Sequence, residues 1–349
     1  MSRKGNSATV PNLTFKHIDR KLMSRVTLTS PSNSTDPAAA ASTSSTANPP
    51  LASTLSFIAV GDWGNIGNKA SELNVTNTMD RVIRRHNTSF ITSLGDNFYS
   101  QGVSSTSDPL WTSNWLDVFG VGNNLTWHCV LGNHDWYGNP QAQIDFTTLN
   151  PRWMMPDFFW DKTVSFGSKN TTVGMIFIDT NLLNYGYQGT GDPAYPGNQL
   201  LPNFIKYGWL SNNNTVEKQL AWIESKLVKH QDRDYLFVMG HHNLFICNNT
   251  SGGMLRLAEL MEAHNVTAYL FGHRHSLGME THGPTLYLQS GAGGQEEPAC
   301  PTSMYSKGMV FGFAHVHLHQ PHGVVHLIQS DGQVLYNTTI LPRYKQISV

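Results

Sequence analysis

The stretch LSFIAVGDWG at residues 55–64 contains the pattern on which the interpretation of the whole chain depends. A mostly apolar run leads directly into a glycine and an aspartate. The same order recurs in SFITSLGDNFY (89–99), WHCVLGNHD (127–135), YLFVMGHH (235–242) and TAYLFGHRH (267–275). Runs that are continuously apolar, rather than alternating, are typical of strands covered on both faces. Each of these stretches therefore predicts a buried strand that is followed by a polar turn.

Further strands and helices are predicted between and after these stretches. Residues 173–179 and 285–290 have the composition of strands, and residues 216–231 and 254–264 place apolar side chains on one helical face. Strands that alternate with helices indicate an α/β fold. The end of the chain, residues 311–342, predicts short antiparallel strands joined by turns.

The first part of the chain has a different composition. Residues 30–53 are rich in Ser, Thr, Ala and Pro, which cannot bury enough apolar surface to offset the entropy of ordering. We therefore predict a disordered N-terminal segment at 1–53 and one folded domain at 54–349.

The bulk composition excludes several classes of partner. A net charge of −1 provides no basic surface for nucleic acid, and no run of eighteen apolar residues is present to span a membrane. A monomer is the expected state. The 16 histidines point weakly to metal chemistry, because imidazole is a common metal ligand.

The cellular compartment receives conflicting indications. Residues 1–53 contain no apolar core of the kind that a signal peptide needs. Asn-x-Ser/Thr sequons are nevertheless dense, which favours a glycoprotein in a secreted or lysosome/vacuole-like compartment. The sequons begin at Asn12, Asn33, Asn74, Asn87, Asn124, Asn170, Asn213, Asn248, Asn249, Asn265 and Asn337.

The three cysteines do not form a zinc-binding or disulfide-framework pattern. Cys129 lies in an apolar run and is predicted to be a buried free thiol. Cys247 and Cys300 both lie in predicted loops, so a bridge between them and two free thiols are equally compatible with the sequence.

The polar motifs should meet in space. In open α/β sheets, ligands bind in the crevice beyond the carboxyl ends of the strands, and each motif lies at such an end. Taken singly, a Gly-Asp or Asn-His pair after a strand is more typical of an ordinary turn. Their repetition at successive strand ends favours one shared site. Its candidate residues are Asp62, Asp96, Tyr99, Asn133, His241, His273 and His275.

The residue types of this set indicate which ion would bind. Carboxylate, amide and imidazole ligands suit Fe, Mn or Zn rather than copper or an iron–sulfur cluster. Seven ligands are too many for one ion and fit two ions that share a bridging carboxylate. A pair of metals about 3.5–4 Å apart is the arrangement used in phosphoryl-ester hydrolysis.

The motif set GDWG, GDNFY, GNHD, GHH and GHRH resembles the metallophosphoesterase (calcineurin-like) superfamily, and within it the small tartrate-resistant purple acid phosphatases. The resemblance extends over about residues 55–345. Tyr99 is the discriminating residue, because most metallophosphoesterases lack a tyrosine there. The resemblance implies a four-layer αββα sandwich, in which two mixed β-sheets are flanked by helices and the metals lie at one edge.

The resemblance also implies a role for each residue. Asp62, Tyr99 and His275 would bind Fe(III), Asp96 would bridge, and Asn133, His241 and His273 would bind a divalent Fe(II), Zn or Mn ion. His134 would be the general acid, and Asp135 is expected to orient its imidazole. The implied reaction is acid hydrolysis of phosphate monoesters, and of anhydrides as a further option, by a metal-bound hydroxide.

Two other functions remain compatible with the residues. One is a Mn or Zn phosphoesterase that acts on diesters or nucleotides without ferric iron, against which Tyr99 argues. The other is a secreted metal-binding or redox-active protein whose hydrolytic activity is incidental. Retained turnover in a His134→Ala variant would favour the metal-binding or redox-active protein.

Several features fall outside the motif set. His242 departs from the Tyr that small purple acid phosphatases tend to carry, and either lines the pocket or is structural. Residues 186–214 predict a surface loop, and their position matches a loop that overhangs the active site in this family and restrains it until cleavage. The histidines His315, His317, His319, His322 and His326 are predicted to form a solvated strand face rather than a metal site. Trp111, Trp115, Trp136, Trp153 and Trp160 are expected in the core and pocket rim.

Overall fold

The computed structural model describes residues 52–120, 122–186, 197–209, 215–249 and 251–343. The predicted N-terminal segment, residues 1–53, lies outside the described residues except for its last two positions. Within the described ranges, no helix is long and apolar enough to cross a membrane.

The first seven-stranded sheet, sheet A, contains the strand that begins the folded part. Its order is β14-β13-β12-β1-β2-β3-β4, with parallel pairing from β1 to β4 and antiparallel pairing from β1 to β14. The sheet is therefore mixed. Its strands are β1 Leu55–Val60, β2 Phe90–Leu94, β3 Trp127–Val130, β4 Trp153–Met154, β12 Gly312–Leu318, β13 Gly323–Gln329 and β14 Val334–Ile340.

The second seven-stranded sheet, sheet B, has the order β11-β9-β10-β8-β7-β6-β5. Its central strands β6, β7, β8 and β10 are parallel, and antiparallel strands flank them on both sides. The strands are β5 Trp160–Phe166, β6 Thr171–Phe177, β7 Tyr235–Met239, β8 Ala268–Phe271, β9 Leu277–His282, β10 Thr285–Ser290 and β11 Tyr305–Lys307.

Helices occupy the connections between strands. Apart from a 3₁₀ turn at Ile66–Asn68 and a π-helical segment at Trp111–Leu116, the described helices are α-helices. They are α1 Lys69–His86, α2 Asp117–Phe119, α3 Asn133–Tyr137, α4 Pro140–Phe146, α5 Asn181–Tyr185, α6 Gly197–Lys206, α7 Thr215–Lys229 and α8 Gly252–Ala263.

Alternation along β1 explains how the layers form. Phe57 and Ala59 point into the core between the two sheets, whereas Ile58 and Val60 belong to the core between sheet A and its helices. Sheet B is covered in the same way on its outer face, by apolar side chains of α7 and α8. Both faces of the central strands are thus buried, which is why their sequences are continuously apolar. The predicted four-layer αββα sandwich is confirmed.

The prediction that five tryptophans lie in the core is confirmed. Trp111, Trp115, Trp136, Trp153 and Trp160 are all buried in the hydrophobic cores. Cys129 is a buried free thiol, as predicted. Cys247 and Cys300, whose pairing the sequence left open, form a disulfide that joins the loop after β7 to the loop after β10.

The prediction of a surface loop at 186–214 is wrong for part of this range, because residues 197–206 form helix α6. Leu200 and Phe204 lie one helical turn apart and are both buried, and the Phe204 ring packs edge-on against Trp136. This apolar stripe outweighs the Gly, Pro and Asn content on which the loop prediction rested. Residues 187–196 and 210–214, which belong to the same predicted loop, lie outside the described residues. The predicted restraint of the active site until this loop is cleaved therefore stays a prediction.

The prediction of a solvated histidine face on the C-terminal strands is wrong for His315. His315 is 1% exposed, and its Nε2 lies 2.8 Å from the Ser56 hydroxyl. His315 pairs with Ile58 across β1 and β12, so both side chains share the face of sheet A that the helices cover. Packing under α1 therefore buries His315. The other four histidines of the set keep part of their surface exposed, as predicted for a strand face in contact with solvent.

Glu72 of α1 makes folding stability depend on pH. Its side chain is 1% exposed, its Oε1 accepts a hydrogen bond from the Asn65 backbone N–H at 2.6 Å, and burial raises its pKa to about 7. A folded-state pKa above the unfolded one contributes stability below pH 4.5, which is lost as pH rises through 7.

We therefore expect Glu72→Gln to raise the free energy of unfolding at pH 8 by at most about 3 kcal/mol, and by much less at pH 4 to 5. Urea denaturation at the two pH values measures the difference. The exposed Glu224→Gln is the matched control and should change little at either pH. An equal effect of Glu72→Gln at both pH values would show that ionisation is not the cause.

Candidate metal centre

The five polar motifs lie at the carboxyl ends of β1, β2 and β3 in sheet A and of β7 and β8 in sheet B. Parallel strands within each sheet place these ends on one side. Backbone hydrogen bonds tie neighbouring turns together, from Asp62 N–H to Gly95 O at 3.0 Å and from Gly272 N–H to His241 O at 3.0 Å. The motifs therefore converge at one edge of the sandwich, as predicted.

The donor atoms of four side chains surround one point. The Tyr99 hydroxyl lies 3.2 Å from Asp62 Oδ1, 3.1 Å from Asp96 Oδ2 and 3.3 Å from His275 Nε2. His275 Nε2 is itself 3.5 Å from Asp62 Oδ1. This first group consists of a phenol, two carboxylates and an imidazole.

A second group of donor atoms surrounds His241 Nε2. The distance from this atom is 3.3 Å to Asn133 Oδ1, 3.3 Å to His273 Nδ1 and 3.4 Å to Asp96 Oδ2. Asp96 Oδ2 thus belongs to both groups. The seven candidate residues are brought together as two clusters that share one carboxylate oxygen.

These spacings fit metal coordination. Around an ion with ligand bonds of about 2.1 Å, neighbouring ligands are about 3.0 Å apart in an octahedron and about 3.4 Å apart in a tetrahedron. The observed separations of 3.1–3.5 Å match that range. Oxygen donors dominate the first group, whereas two imidazoles and an amide characterise the second. The donor sets are therefore suited to different ions.

Hydrogen bonds orient the donors toward the two clusters. Asp62 uses Oδ2 to accept from the His273 backbone N–H at 2.8 Å, and Asp96 uses Oδ1 to accept from that of His134 at 2.8 Å. His241 Nδ1 lies 2.8 Å from Leu94 O, which turns its Nε2 inward. Each residue thereby presents its other polar atom to the clusters, a common way of fixing metal ligands.

Three of the candidate ligands have a backbone conformation that side-chain-bearing residues rarely adopt. Asp62, Asp96 and His273 have φ values of 57°, 51° and 68°. Such residues persist only where their surroundings enforce the conformation, and they concentrate at functional sites. The strained backbone therefore lies on the candidate ligands themselves.

Close approach explains the glycine that precedes Asn133. A Cβ atom on Gly132 would lie 2.1 Å from Asp96 Oδ1, so no other residue fits. At Gly95 both the backbone conformation and the available space require glycine. Its φ is 88°, and a Cβ there would lie 2.7 Å from His241 Nδ1.

The electrostatics of the clusters depend on the facing carboxylates and imidazoles. Burial alone would raise the pKa of Asp96, but the facing His241 outweighs it and holds that pKa well below its ordinary value. Burial alone would lower the pKa of His241, whereas Asp96 raises it to about 9. Burial and then His241 lower the pKa of His273 to about 3, which keeps a nitrogen lone pair available.

Tyr99 is held in a setting that disfavours its phenolate. Burial and then the carboxylates of Asp96 and Asp62 raise the pKa of Tyr99 well above its ordinary value. Only a strong positive charge beside the oxygen would remove its proton at neutral or acidic pH. A highly charged cation in the first cluster satisfies that requirement.

His134 lies next to the first cluster, with its ring centroid 4.5 Å from that of Tyr99. Its Nδ1 is 2.7 Å from the Ser100 carbonyl oxygen, which fixes the ring. Its Nε2 forms no hydrogen bond with any described residue. The imidazole is therefore held at one nitrogen, with the other available to a substrate.

The expected contact between Asp135 and the His134 imidazole is not made. The Asp135 carboxylate is completely buried and accepts hydrogen bonds from the backbone N–H groups of Gly132 and Asn97 and from Gln143 Nε2, at 2.8, 3.1 and 2.8 Å. Burial, and then the charge of Asp96, raises the pKa of Asp135 to about 7. Asp135 therefore connects the GDN and GNH turns, and the Ser100 carbonyl takes over the orienting role.

Sequence reasoning missed the supporting contacts of this site. Ser100 and Leu94 act through backbone carbonyls, which any residue has, so no sequence signal identifies them. Glu297 accepts from the His275 backbone N–H at 2.9 Å and pairs with Arg274 at 2.7 Å. Its only signal is a position in the QEEP stretch that follows β10.

His242, which the sequence left as either pocket-lining or structural, is fully buried. Its Nδ1 lies 2.8 Å from the Thr180 hydroxyl, and its ring centroid is 4.6 Å from that of His273. With His241 and His273 it places three ligand atoms within 4.8 Å of one another. His242 is thus a neighbour of the second cluster.

Comparison with known proteins identifies relatives of this chain. The model of the calcineurin-like phosphoesterase family matches residues 55–277. Tartrate-resistant acid phosphatase type 5 of Mus musculus is 30% identical over 311 residues, which cover 83% of this chain and 91% of that protein. Purple acid phosphatase 7 of Arabidopsis thaliana is 28% identical, with 83% of this chain and 87% of that protein covered.

A solved structure shares the fold. GAP50, described as the anchor in the inner membrane complex of Plasmodium, aligns with a TM-score of 0.68 at 22% identity, covering 83% of this chain and 89% of that one. This likeness concerns the fold alone. The phosphatase relatives match most of the chain. They support hydrolysis of phosphate esters as the activity of this protein. The chain belongs to the calcineurin-like phosphoesterase family and, within it, to the group of tartrate-resistant and purple acid phosphatases.

Proposed function

We propose that the protein is an acid phosphatase that hydrolyses phosphate monoesters at a binuclear metal centre. The observation that carries the proposal is the pair of donor clusters sharing Asp96 Oδ2, one of them containing the phenol of Tyr99. Tartrate-resistant and purple acid phosphatase relatives support the same substrate class. Anhydrides are a second substrate class that the same site would accept.

The first cluster is proposed to bind Fe(III) and the second a divalent ion, Fe(II), Zn or Mn. Asp62, Tyr99 and His275 would complete the ferric site, and Asn133, His241 and His273 the divalent one, with Asp96 bridging. When bound, the two ions would lower the pKa of a water nucleophile and neutralise charge on the phosphoryl group.

His134 is proposed to protonate the leaving alkoxide. Its free Nε2 and its fixed ring meet the requirements of a general acid that must reach one oxygen of a bound ester. Asp135 would act indirectly, because its hydrogen bonds to Gly132 and Asn97 hold together the turns that carry Asn133, His134 and Asp96.

Visible absorption tests the ferric assignment. The resemblance to purple acid phosphatases implies a Tyr99–Fe(III) charge-transfer band, so protein produced with iron should be purple or pink and contain two metals per chain. Tyr99→Phe should abolish the band and, in the presence of the remaining ligands, keep the divalent ion. Tyr336 is a partly buried residue of β14 that lies outside the motifs, and Tyr336→Phe is the control.

A colourless, active preparation without iron would overturn the ferric assignment and favour the Mn or Zn phosphoesterase. The diester and nucleotide substrates of that alternative are measured in the same assay. A band that persists in Tyr99→Phe would mean that the chromophore is not Tyr99.

The remaining parts of the proposal concern the setting of the enzyme. We expect a monomeric protein whose catalytic domain is the segment 54–349. A secreted or lysosome/vacuole-like location and N-glycosylation are expected from the sequons. In support, the asparagines that are exposed in the described part of the chain include Asn74, Asn87, Asn124, Asn170, Asn248 and Asn265.

A further inference from the structure

A cavity with apolar and basic walls lies under the last turns of α1, on the helix-covered face of sheet A. Its volume is about 310 Å³. His315 in its wall pairs with Ile58 within β1, whereas the metal centre begins at Asp62, beyond the end of that strand, and none of the metal-centre residues lines the cavity. The cavity and the metal centre are therefore separate sites.

The ionisable residues that line this cavity are all basic, and its two full charges are the guanidinium groups of Arg81 and Arg85. Burial lowers the pKa of each of the three histidines, so these rings contribute N–H groups rather than charge. Arg81, Arg85 and His86 of α1 meet His315 of β12 and His326 of β13, and no acidic side chain is among the lining residues. His315 and His326 are register partners with ring centroids 5.7 Å apart, and His86 lies 4.7 Å from His315. A concave surface with charge of one sign concentrates ligands of the opposite sign.

Unused hydrogen-bond donors face the same region. Arg85 forms no hydrogen bond or ion pair with a described residue, and His326 Nδ1 is buried without a partner among them. Arg81 uses Nη2 to donate to Thr78 Oγ1 at 2.7 Å and to the Asp331 carbonyl at 3.4 Å, which holds its guanidinium beside the cavity. An unpaired buried polar atom costs free energy, and a ligand would remove that cost.

Two simpler explanations account for only part of this arrangement. Basic residues in the last helical turn compensate the helix dipole, which explains Arg85 and His86 but neither Arg81 nor the histidines on two strands. A metal site is disfavoured, because no three of these histidines bring ligand atoms within 4.8 Å of one another. Two guanidinium groups would also repel a cation.

We propose that this cavity binds a small molecule through one oxyanion group, a phosphate or a carboxylate. Guanidinium groups match the planar, two-oxygen geometry of both anions, and the neighbouring imidazoles donate N–H groups. Val82, Ile328 and Val334 complete the wall, so a short apolar body fits beside the anion. The volume lies at the lower end of the range for small-molecule sites.

Calorimetric titration of the intact metal-loaded enzyme tests the proposal, with inorganic phosphate and butyrate as separate probes. If the cavity accepts phosphate, the wild type should bind two phosphates per chain, one at the metal centre and one in the cavity. If the cavity prefers a carboxylate, the wild type should bind one phosphate at the metal centre and one butyrate in the cavity. Arg81→Gln/Arg85→Gln should weaken the cavity site by at least about tenfold and leave the other unchanged. Arg84→Gln, on the same turn but outside the cavity wall, is the matched control.

Turnover of a phosphate monoester should be unchanged in the double variant, which separates this site from the catalytic one and reports on folding. His326→Gln, which removes no full charge, should weaken the cavity site as well. Wild-type protein that binds one phosphate and no butyrate, or a second site that is indifferent to Arg81, Arg85 and His326, would overturn the proposal.

Discussion

Replacing His134 with alanine is expected to lower kcat for an alkyl phosphate by about 10²–10⁴-fold while two metal ions remain bound. An alkoxide is a poor leaving group, so its departure depends on a proton delivered during bond cleavage. The 2.7 Å contact between Nδ1 and Ser100 O fixes the imidazole and leaves Nε2 without a hydrogen-bond partner among the described residues, as the proposed role requires. The His134 side chain belongs to neither donor cluster, so metal content should not change.

The leaving group provides the most specific test. A nitrophenolate leaves without protonation, so His134→Ala should lower kcat for p-nitrophenyl phosphate far less than for an alkyl phosphate. Ser100→Ala is the matched control, because the side chain is exposed and the contact to His134 uses the backbone carbonyl. It should retain nearly full turnover with both substrates.

An equal loss with both substrates would show that His134 does not act as the general acid. Unchanged turnover with both would favour the alternative in which hydrolysis is incidental to metal binding. Metal analysis of each variant separates these outcomes from a simple loss of the centre.

The sequence predicted the central strands with nearly correct limits, and the reason is physical. β1, β7 and β10 are buried on both faces, so every position selects for apolar or small residues and the run stands out. β5 and β11 lie at the edges of sheet B, where partial exposure permits mixed polarity. Neither has a pattern that differs clearly from a loop, and neither was predicted.

The candidate site also has features that the sequence predicts and features that it does not. Side chains such as Asp62 and His241 follow recognisable strands, so their meeting could be predicted from topology alone. The division into two clusters was implied only by the family resemblance, because it depends on which carboxylate oxygen faces which neighbour, and residue types alone do not specify that. The role expected of Asp135 was wrong because a buried carboxylate beside backbone N–H groups satisfies those groups first.

Asp96→Asn is expected to cause the largest loss, removing both metal ions and at least about a thousandfold of the activity. Asp96 Oδ2 is the only donor atom among the described residues that belongs to both clusters, at 3.1 Å from the Tyr99 hydroxyl and 3.4 Å from His241 Nε2. Asparagine keeps the shape of the side chain but removes its negative charge. The charge that would hold two cations close together is then absent.

Comparison with a ligand of a single cluster makes this test specific. Asn133→Ala removes a donor from the second cluster alone, so it should release the divalent ion and spare the visible band of the first. Asp96→Asn should remove both the ion and the band. Metal content after gel filtration and the absorption spectrum measure these two outcomes independently of turnover.

Asp179→Asn controls for the loss of a buried carboxylate as such. Asp179 is fully buried and accepts hydrogen bonds from Trp136 Nε1 at 2.6 Å and from the Asn181 backbone N–H at 2.8 Å, but it contributes to neither cluster. We expect this variant to be less stable and still to bind two metals per chain. If Asp96→Asn retained one ion and its spectrum, Asp96 would not be the bridge, and the two clusters would bind their ions independently.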